Sequence, residues 1–268
     1  MPVSHRTELF TEVLDKHSNA RKLYNFFTHS LLLKNHIIRR EIKLCSRRKN
    51  KVQHVLYPGF GMGQLLGLFS NYRSKYNILA IDKNHKMVTQ STAYFNHEHI
   101  HNIYCRTADI LSFDQHDAFD LCLSINLLNY IEEDRKALTN MFNALKKPGM
   151  LLIFNSSNYA DDKASRLNIG IYSDPKVRNG YGVIELQQML KEIGFSKVKA
   201  RYAYGTPGIY SWKLTTAWPT KMIKTSQLFF AVLPIYTLLC IPFVILFNFL
   251  DINMKHNKGK CILVRAFK

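Results

Sequence analysis

Residues 52–82 read VQHVLYPGFGMGQLLGLFSNYRSKYNILAID, and this stretch decides the fold. Its pattern predicts a strand, a turn that contains Gly59, Gly61 and Gly63, a helix, and a second strand that ends at Asp82. Glycines let the backbone of such a turn come close to a ligand, and an acid at the tip of the second strand accepts hydrogen bonds from ribose hydroxyls. The stretch therefore predicts a site for a nucleoside-containing cofactor.

The rest of the chain continues the alternation of strands and helices. Further strands are predicted at Asn102–Cys105, Phe119–Ile125, Met150–Phe154, Lys197–Tyr204 and Lys260–Phe267. The run Phe119–Ile125 is almost continuously apolar, which suits a parallel strand that is covered on both faces. We therefore expect an α/β fold with a doubly wound, mostly parallel, seven-stranded Rossmann-like sheet.

Helices, turns and one long connection are predicted between these strands. The helices are Met87–Asn96, Glu133–Leu145 and Val183–Ile193, the last of which Gly194 ends. A turn is predicted at Lys147–Gly149, and a long polar connection runs from Asn155 to Gly182. A connection of that length is usually functional or disordered.

The N-terminal residues 7–46 are predicted to be helical. One segment is near Thr7–Asp15, and a second runs from Ala20 to Cys45 with apolar residues such as Phe26 and Leu31 spaced for one face. Basic residues, from Arg39 onwards, follow that face. Two interpretations remain open: a helix that packs before the first strand, and a basic arm that covers the cofactor or approaches lipid.

The formal net charge of +18 is unevenly distributed over the 268 residues. Residues 1–53 have a net charge of +8, residues 54–195 are neutral, and residues 196–268 have a net charge of +10. A basic excess at both ends of a neutral middle points to an anionic partner, either phospholipid headgroups or nucleic acid. Solubility is the alternative explanation, but the apolar segment described below favours the membrane.

The cysteines do not form a metal or disulfide pattern. They are scattered at Cys45, Cys105, Cys122, Cys240 and Cys261, without a C-x-x-C pair or a histidine at ligand spacing. We therefore predict no metal site. A cysteine in an apolar strand (Cys122) and a first segment without a signal-peptide pattern favour a reducing, cytoplasmic setting.

Residues 228–250 read LFFAVLPIYTLLCIPFVILFNFL, 23 residues without a charge. Lysines flank this segment on both sides: Lys221 and Lys224 before it, and Lys255, Lys258 and Lys260 after it. By length and composition the segment is sufficient to cross a bilayer.

Chain topology argues against a full crossing by this segment. If Lys197–Tyr204 and Lys260–Phe267 are neighbouring strands, both ends of the segment lie on the same side of a membrane. Pro234 and Pro242 suit short helices that enter the interface and return. We expect a monotopic interfacial anchor, helped by the aromatic residues Tyr210, Trp212 and Trp218. The alternative is that the segment covers the sheet or a dimer interface.

The order of motifs resembles that of the class I S-adenosylmethionine-dependent methyltransferases. The matching pieces are Gly59–Gly63, Asp82, Ala108–Ile110, Asp120–Asn126 and Leu145–Ile153. The resemblance covers Val52–Tyr204 together with Lys260–Lys268, and it implies S-adenosyl-L-methionine as the cofactor. The segment 228–250 also resembles the apolar, membrane-associating insertion before the last strand of some bacterial members that act on lipid-like acceptors.

The resemblance implies roles for seven residues in cofactor binding. Gly59, Gly61 and Gly63 would border the methionine part and the ribose, Asp82 would bind both ribose hydroxyls, Asp109 with Ile110 would hold the adenine, and Asn126 would lie beside the methionine moiety.

The chain departs from the family pattern at one position. Many members have an acid two residues before the first glycine, where this chain has Tyr57. The ammonium group of the cofactor would then be bound differently. A dehydrogenase would share the first strand–helix–strand unit, but Asp109–Ile110 and the turn at Lys147–Gly149 favour methyl transfer, and no Tyr-x-x-x-Lys pair of the short-chain reductase kind is evident.

Four regions follow from these observations. Residues 1–50 are predicted to form a helical basic arm or lid, 51–205 the cofactor-binding domain, 206–258 a hydrophobic membrane-associating insertion, and 259–268 the last strand of the sheet. We expect a methyltransferase of an amphiphilic acceptor such as a quinone precursor, a phenolic lipid or a pigment. It would act in the cytoplasm, peripheral or monotopic at the inner face of a membrane with anionic lipids.

Two alternatives to this function stay open. A nucleic-acid methyltransferase would use the basic ends, but Ser124–Leu127 stands where a base-flipping enzyme would have an Asn/Asp-Pro-Pro-Tyr motif. A non-catalytic protein would keep the fold without the chemistry. The acceptor atom and the oligomeric state are left open.

The sequence does not identify a catalytic base. No histidine lies between His116 and His256, and the polar residues that follow the fifth strand are Asn155, Asn158, Tyr159 and Asp161. The N-terminal His29 and His36 are the other candidates. A lone histidine is more often a surface residue, so we assign no catalytic residue from the sequence.

Overall fold

The computed structural model describes residues 30–48, 54–61, 63, 65–70, 76–158, 178–225 and 229–268. The predicted helix Thr7–Asp15 and the first part of the predicted helix Ala20–Cys45 lie outside these residues. The same is true of Lys51, Val52 and Gln53, at the predicted start of the first strand.

Seven strands form a single sheet. They are β1 (His54–Pro58), β2 (Asn77–Asp82), β3 (Ile103–Thr107), β4 (Phe119–Ile125), β5 (Leu145–Ser156), β6 (Lys197–Ala203) and β7 (Cys261–Phe267). Their order across the sheet is β3-β2-β1-β4-β5-β7-β6. The pairings among β1 to β5 are parallel, whereas β7 is antiparallel to both β5 and β6. The prediction of a mostly parallel, seven-stranded sheet is confirmed.

Helices cover both faces of the sheet. They are α1 (Leu33–Arg48), α2 (Gly67–Ser70), α3 (His85–His97), α4 (Asp134–Ala144), α5 (Val183–Ile193), α6 (Thr206–Trp212), α7 (Trp218–Thr225) and α8 (Phe229–Asn253). Apolar residues of α1, α2 and α3 pack on one face, and those of α4 and α5 pack on the other. This arrangement is doubly wound, and it explains why β4 is apolar along its length: Leu121 and Leu123 enter one core while Cys122 enters the other.

β5 differs from the prediction at its start. The strand begins at Leu145, and its register with β4 jumps from the pair Phe119–Leu145 to the pair Leu121–Met150. The predicted turn at Lys147–Gly149 is therefore a bulge within a longer strand, because main-chain pairing with β4 is present on both sides of it.

A helical hairpin connects β6 to β7. It consists of α6, one π-helical turn (Lys213–Ala217) and α7 on the outward path, and of α8 on the return path. Hydrogen bonds join Gly208 N to Asp251 Oδ1 (3.1 Å) and Ser211 Oγ to Asn248 Oδ1 (2.6 Å). The partner number falls as the first number rises, so the two paths are antiparallel.

The prediction of short helices in this segment is wrong. α8 is one continuous helix of 25 residues that includes both Pro234 and Pro242. Each proline removes only its own N–H from the helical ladder. In an apolar segment, the remaining backbone groups have no better partners than those within the helix, which favours continuity.

A buried polar cluster closes the base of the hairpin. Asp251 is fully buried, and its carboxylate accepts hydrogen bonds from Tyr204 N (3.2 Å) and Gly208 N (3.1 Å). His256 Nε2 lies 3.1 Å from Asp251 Oδ1, and Asp251 is the only acid in residues 196–268. The carboxylate therefore caps α6 from a distant part of the chain and fixes where the hairpin leaves and rejoins the sheet.

We predict that Asp251→Ala destabilises the fold by about 3–5 kcal/mol, because it leaves buried N–H groups and His256 without their acceptor. The measurement is the free energy of unfolding in urea. Asp114→Ala is the control, since the Asp114 side chain is 88% exposed and its loss should change stability by less than about 0.5 kcal/mol. Equal effects of the two variants would contradict a structural role for the cluster.

Candidate cofactor site at the carboxyl edge of the sheet

The predicted cofactor-binding residues follow four adjacent strands. The glycine turn follows β1, Asp82 ends β2, Asp109 and Ile110 follow β3, and Asn126 follows β4. These strands are parallel neighbours in the order β3-β2-β1-β4, so their C-terminal ends meet at one edge. We call it the carboxyl edge. In open α/β sheets, ligands bind outside this edge, where the strand order reverses, here between β1 and β4.

The turn after β1 needs glycine for its backbone conformation. Gly59, Gly61 and Gly63 have φ values of 65°, 56° and 70°, in the left-handed region that side chains disfavour. A Cβ on Gly59 would also lie 2.5 Å from Leu127 Cδ1. The turn can therefore bring main-chain atoms close to a ligand without side chains in between.

Asp82 is fixed against this turn. Its Oδ2 accepts a hydrogen bond from Gly61 N and its Oδ1 accepts one from Asn84 N, both at 2.9 Å. Asn84 in turn caps α3 through Lys86 N and Met87 N. Each carboxylate oxygen has a second lone pair, so the group keeps acceptor capacity for two hydroxyls while its orientation is held.

Asp109 and Ile110 form a short turn beside Asp82. Ala108 N donates to Asp82 O (3.1 Å), and Asp109 Oδ1 accepts from Leu111 N (2.9 Å). Asn140 Nδ2 on α4 donates to the carbonyl oxygens of Ile110 (2.8 Å) and Leu111. Asp109 is exposed while Ile110 is buried, so the pair offers one carboxylate and one apolar surface at this edge.

Asn126 is held in a left-handed conformation at the end of β4. Its φ is 55°, its N–H donates to Phe154 O (2.7 Å), and the residue is only 8% exposed. Its side-chain Oδ1 is buried without a hydrogen-bond partner among the described residues. Leaving such an oxygen unpaired costs about 1–3 kcal/mol, which is typical of a group that a ligand satisfies.

Tyr57 stands where many related domains have an acid, and it is buried in the core at the end of β1. The acid is therefore replaced by a ring that packs inward. The nearby acceptor that the sequence analysis linked to the methionine end of the cofactor is Asn126 Oδ1.

Sequence reasoning missed a polar cluster next to this site. Asn155 Nδ2 donates to Asn129 Oδ1 (2.6 Å), and Tyr181 OH donates to Asp134 Oδ2 (2.7 Å). The Arg178 guanidinium lies over the Tyr181 ring at 4.3 Å and pairs with Asp134. Burial, together with the hydrogen bond to Asp134, raises the pKa of Tyr181 well above its ordinary value.

This cluster closes the base of the long polar connection. Asn158 N donates to Tyr181 O (3.0 Å), so both ends of the connection meet beside β5. No local sequence pattern could have paired these residues, because they are distant in the chain. Tyr159 and Asp161, two of the polar residues named as candidates, lie outside the described residues, as does His29.

His36, the other histidine candidate, lies on α1, where its Nε2 donates to Ser30 O (2.8 Å). Asn155 is fully buried against Asn129. Among the residues that the structure describes, no group of three or more His, Cys, Asp or Glu side chains could hold a metal ion.

The chain matches one protein-family model and one curated relative over part of its length. Residues 56–153 match the model described as a methyltransferase domain. An 82-residue region is 35% identical to the carboxy-S-adenosyl-L-methionine synthase of Photobacterium profundum, which covers 30% of this chain and 34% of that protein. The chain thus spans about a third of the length of this curated relative.

Solved structures with the same fold include two methyltransferases. A phosphoethanolamine N-methyltransferase of Haemonchus contortus, in complex with S-adenosyl-L-methionine, is 14% identical with a TM-score of 0.57 over 81% of this chain and 49% of that one. A SAM-dependent methyltransferase of Thermotoga maritima, described as a possible histamine N-methyltransferase, is 11% identical with a TM-score of 0.53 over 96% and 99%.

At these identities the likeness to solved structures is one of fold, whereas the family match lies on the strands and turns that form the carboxyl edge. The chain therefore carries a class I S-adenosylmethionine-dependent methyltransferase domain, an enzyme domain whose cofactor is S-adenosylmethionine.

Proposed function

We propose that this protein methylates an amphiphilic, lipid-like small molecule at the surface of a membrane that contains anionic lipid. The observation that carries the proposal is the polarity of the helical hairpin. Its polar residues face inward and its apolar residues face outward, at the edge of the sheet that carries the cofactor site.

The inward face of α8 is partly polar. Val244, Asn248 and Asp251 are buried, and the last two are hydrogen-bonded to α6 and to the end of β6. Asn248 Nδ2 also donates to Leu31 O (2.9 Å), immediately before α1. Polar side chains that join helices to each other are characteristic of helices in an apolar solvent.

The outward face of α8 is apolar. Its exposed side chains are Val232, Ile235, Leu238, Leu239, Phe243, Ile245, Leu246 and Phe249. Only 17% of the stretch Ile235–Asn253 is buried, and this stretch is long and apolar enough to cross a bilayer. An apolar surface of this extent on a monomer marks an interaction site with protein or membrane.

Charge favours the membrane over a protein partner. Residues 196–268 contain 11 basic residues, and their single acid, Asp251, is fully buried. Exposed Lys221 and Lys255 lie near the two ends of the hairpin, and Trp218 is half-exposed on α7. Cations and amphipathic rings around an apolar surface match the headgroup layer of an anionic bilayer.

Topology places this surface beside the reaction. β6 ends at Ala203, which pairs with Cys261 at the start of β7, and Ser156 at the end of β5 pairs with the same residue. The hairpin therefore starts and finishes at the carboxyl edge. An acceptor that partitions into lipid could reach the cofactor site from the bilayer without crossing water.

The residues at the carboxyl edge suit S-adenosylmethionine. We infer that Asp82 binds the ribose hydroxyls, that Asp109 and Ile110 hold the adenine, and that the unpaired Asn126 Oδ1 accepts from the ammonium group. The bound cofactor supplies an activated methyl group, so the protein needs mainly to align the acceptor and exclude water.

The decisive experiment incubates the protein with methyl-labelled S-adenosylmethionine and a total cell extract, and then partitions the label. We expect label in the organic phase. Label in RNA would replace this proposal with a nucleic-acid methyltransferase. Retained cofactor binding without label in any fraction would contradict methyl transfer and favour a non-catalytic protein.

We predict that Asp82→Ala weakens S-adenosylmethionine binding by about 100-fold, because two hydrogen bonds to a charged acceptor are lost. The measurement is the Kd by calorimetry, and Asp114→Ala is the matched control. An unchanged Kd in Asp82→Ala would remove Asp82 from the cofactor site.

We predict that the double variant Leu238→Glu/Leu239→Glu no longer floats with vesicles of phosphatidylcholine and phosphatidylglycerol, whereas the wild type does. These two side chains are 69% and 67% exposed, so the fold should be retained, while two charges in an apolar layer should weaken binding at least about 100-fold.

Ile184→Glu is the matched control for flotation. Ile184 is 79% exposed on α5, on the other side of the sheet from α1, and the variant should float like the wild type. Flotation of the double variant would contradict lipid contact. A wild-type dimer that the double variant dissociates would assign α8 to a subunit interface instead.

A further inference from the structure

Lys34 is a buried lysine that neither the cofactor site nor the membrane surface uses. It lies in the first turn of α1 and is only 8% exposed, between the fully buried apolar residues Leu33 and Ile37. No carboxylate in the described part of the chain forms an ion pair with its Nζ. Burial of a lysine without a counter-charge is costly, so such a residue calls for a functional explanation.

The position of Lys34 links the cofactor site to the hairpin. Its backbone N–H donates to Tyr204 OH (3.1 Å), and the Tyr204 ring packs edge-on against Phe154 at 6.1 Å between centroids. Phe154 O accepts from Asn126 N. Three contacts thus lead from Asn126 to Lys34, along the end of β5 and toward the base of the hairpin.

The groups around Lys34 leave it as the base with the best-matched proton affinity. Tyr204 at the end of β6 has a pKa raised by burial, and so does not ionise near neutral pH. Cys261 at the start of β7 is fully buried. Asp251 and His256 from the end of the hairpin are engaged with each other and with Tyr204 N and Gly208 N. On α1 itself, Glu41 pairs with Arg201 and Arg265.

We propose that Lys34 Nζ is the base that takes the proton from a phenolic or enolic hydroxyl of the acceptor. The inference rests on the proposed function and narrows its substrate class to lipid-like phenols and enols. The hydroxyl proton moves to the neutral amine of Lys34, which becomes an ammonium. The acceptor oxygen forms the new bond to the methyl carbon, the electron pair of the broken carbon–sulfur bond stays on sulfur, and the ammonium later releases its proton to water.

Burial supports this role, because it lowers the pKa of Lys34 to about 8 from its ordinary value of 10.5. A useful fraction of the amine is then neutral near pH 7.5, as a base that works at that pH requires. The pH dependence has a definite sign: the rate should rise with pH and level off above about pH 8 as Lys34 loses its proton.

The same shift predicts an effect on stability. Between pH 8 and 10.5 the unfolded chain binds the Lys34 proton and the folded chain does not, so stability rises with pH through that range. Below pH 8 the folded protein bears the full cost of the buried charge. Lys34→Met should therefore raise Tm by several degrees at pH 7, with no such gain above pH 10.5, whereas loss of a lysine with a stabilising structural role would lower Tm.

The test uses a long-chain 2-alkyl-4-nitrophenol in phosphatidylcholine vesicles, because its phenolate absorbs visible light. With S-adenosylhomocysteine present, the apparent pKa of the bound probe should be at least one unit lower in the wild type than in Lys34→Met. Lys34→Arg should keep the lowered value through its charge. Methylation of phenolic lipid should fall by 10²- to 10⁴-fold in both variants, because arginine cannot give up its proton to act as a base.

Lys43→Met is the control, since Lys43 is an exposed lysine on the same helix, and it should behave like the wild type. Equal probe pKa values in wild type and Lys34→Met would overturn the role of Lys34 and leave the proposed function standing. A wild-type protein that binds neither the probe nor any phenolic lipid, while labelling another lipid class, would overturn the phenolic acceptor and Lys34 as its base.

Discussion

Strand β7 enters the sheet between β5 and β6, antiparallel to both, and much of the molecule depends on this constraint. An antiparallel strand in that position must start at the carboxyl edge, where β5 and β6 end. The 57 residues between Ala203 and Cys261 therefore have to leave and return at the edge that carries the glycine turn and Asp82. Any surface that this segment exposes lies beside the cofactor site.

The hairpin itself is held by groups that are costly to bury unless they are paired. Asp251 meets this requirement through Tyr204, Gly208 and His256, and Asn248 meets it through Ser211 and Leu31. With its polar residues used inside, α8 presents apolar side chains outward. The polarity is the reverse of that of a surface helix in a protein surrounded by water, and it supports a lipid environment.

Two buried polar groups remain without such pairing, and both lie on the acceptor side of the carboxyl edge. Asn126 presents an unpaired amide oxygen, and Lys34 is buried without an ion pair in the described part of the chain. Their cost to stability is the kind that proteins retain where function requires it. The contacts from Asn126 through Phe154 and Tyr204 to Lys34 place the two groups on one continuous path.

The sequence alone determined the strands, the glycine turn and the positions of Asp82, Asp109, Ile110 and Asn126 after their strands. These depend on local patterns: apolar runs that form buried strands, and residues that tolerate a left-handed conformation at their ends. The bulge in β5 escaped prediction because a turn signal such as Lys147–Gly149 is local, whereas its place inside a strand depends on pairing with β4.

Only the tertiary structure decided the rest. The continuity of α8 through Pro234 and Pro242 depends on the lack of alternative partners for its backbone. The burial of Lys34 and the pairing of Asp251 with residues more than 40 positions earlier in the chain depend on how helices meet at the base of the hairpin. Periodicity tells which face of a helix is apolar, but not whether a lysine next to that face lies in water or under a neighbouring tyrosine, because burial is set by contacts between distant segments.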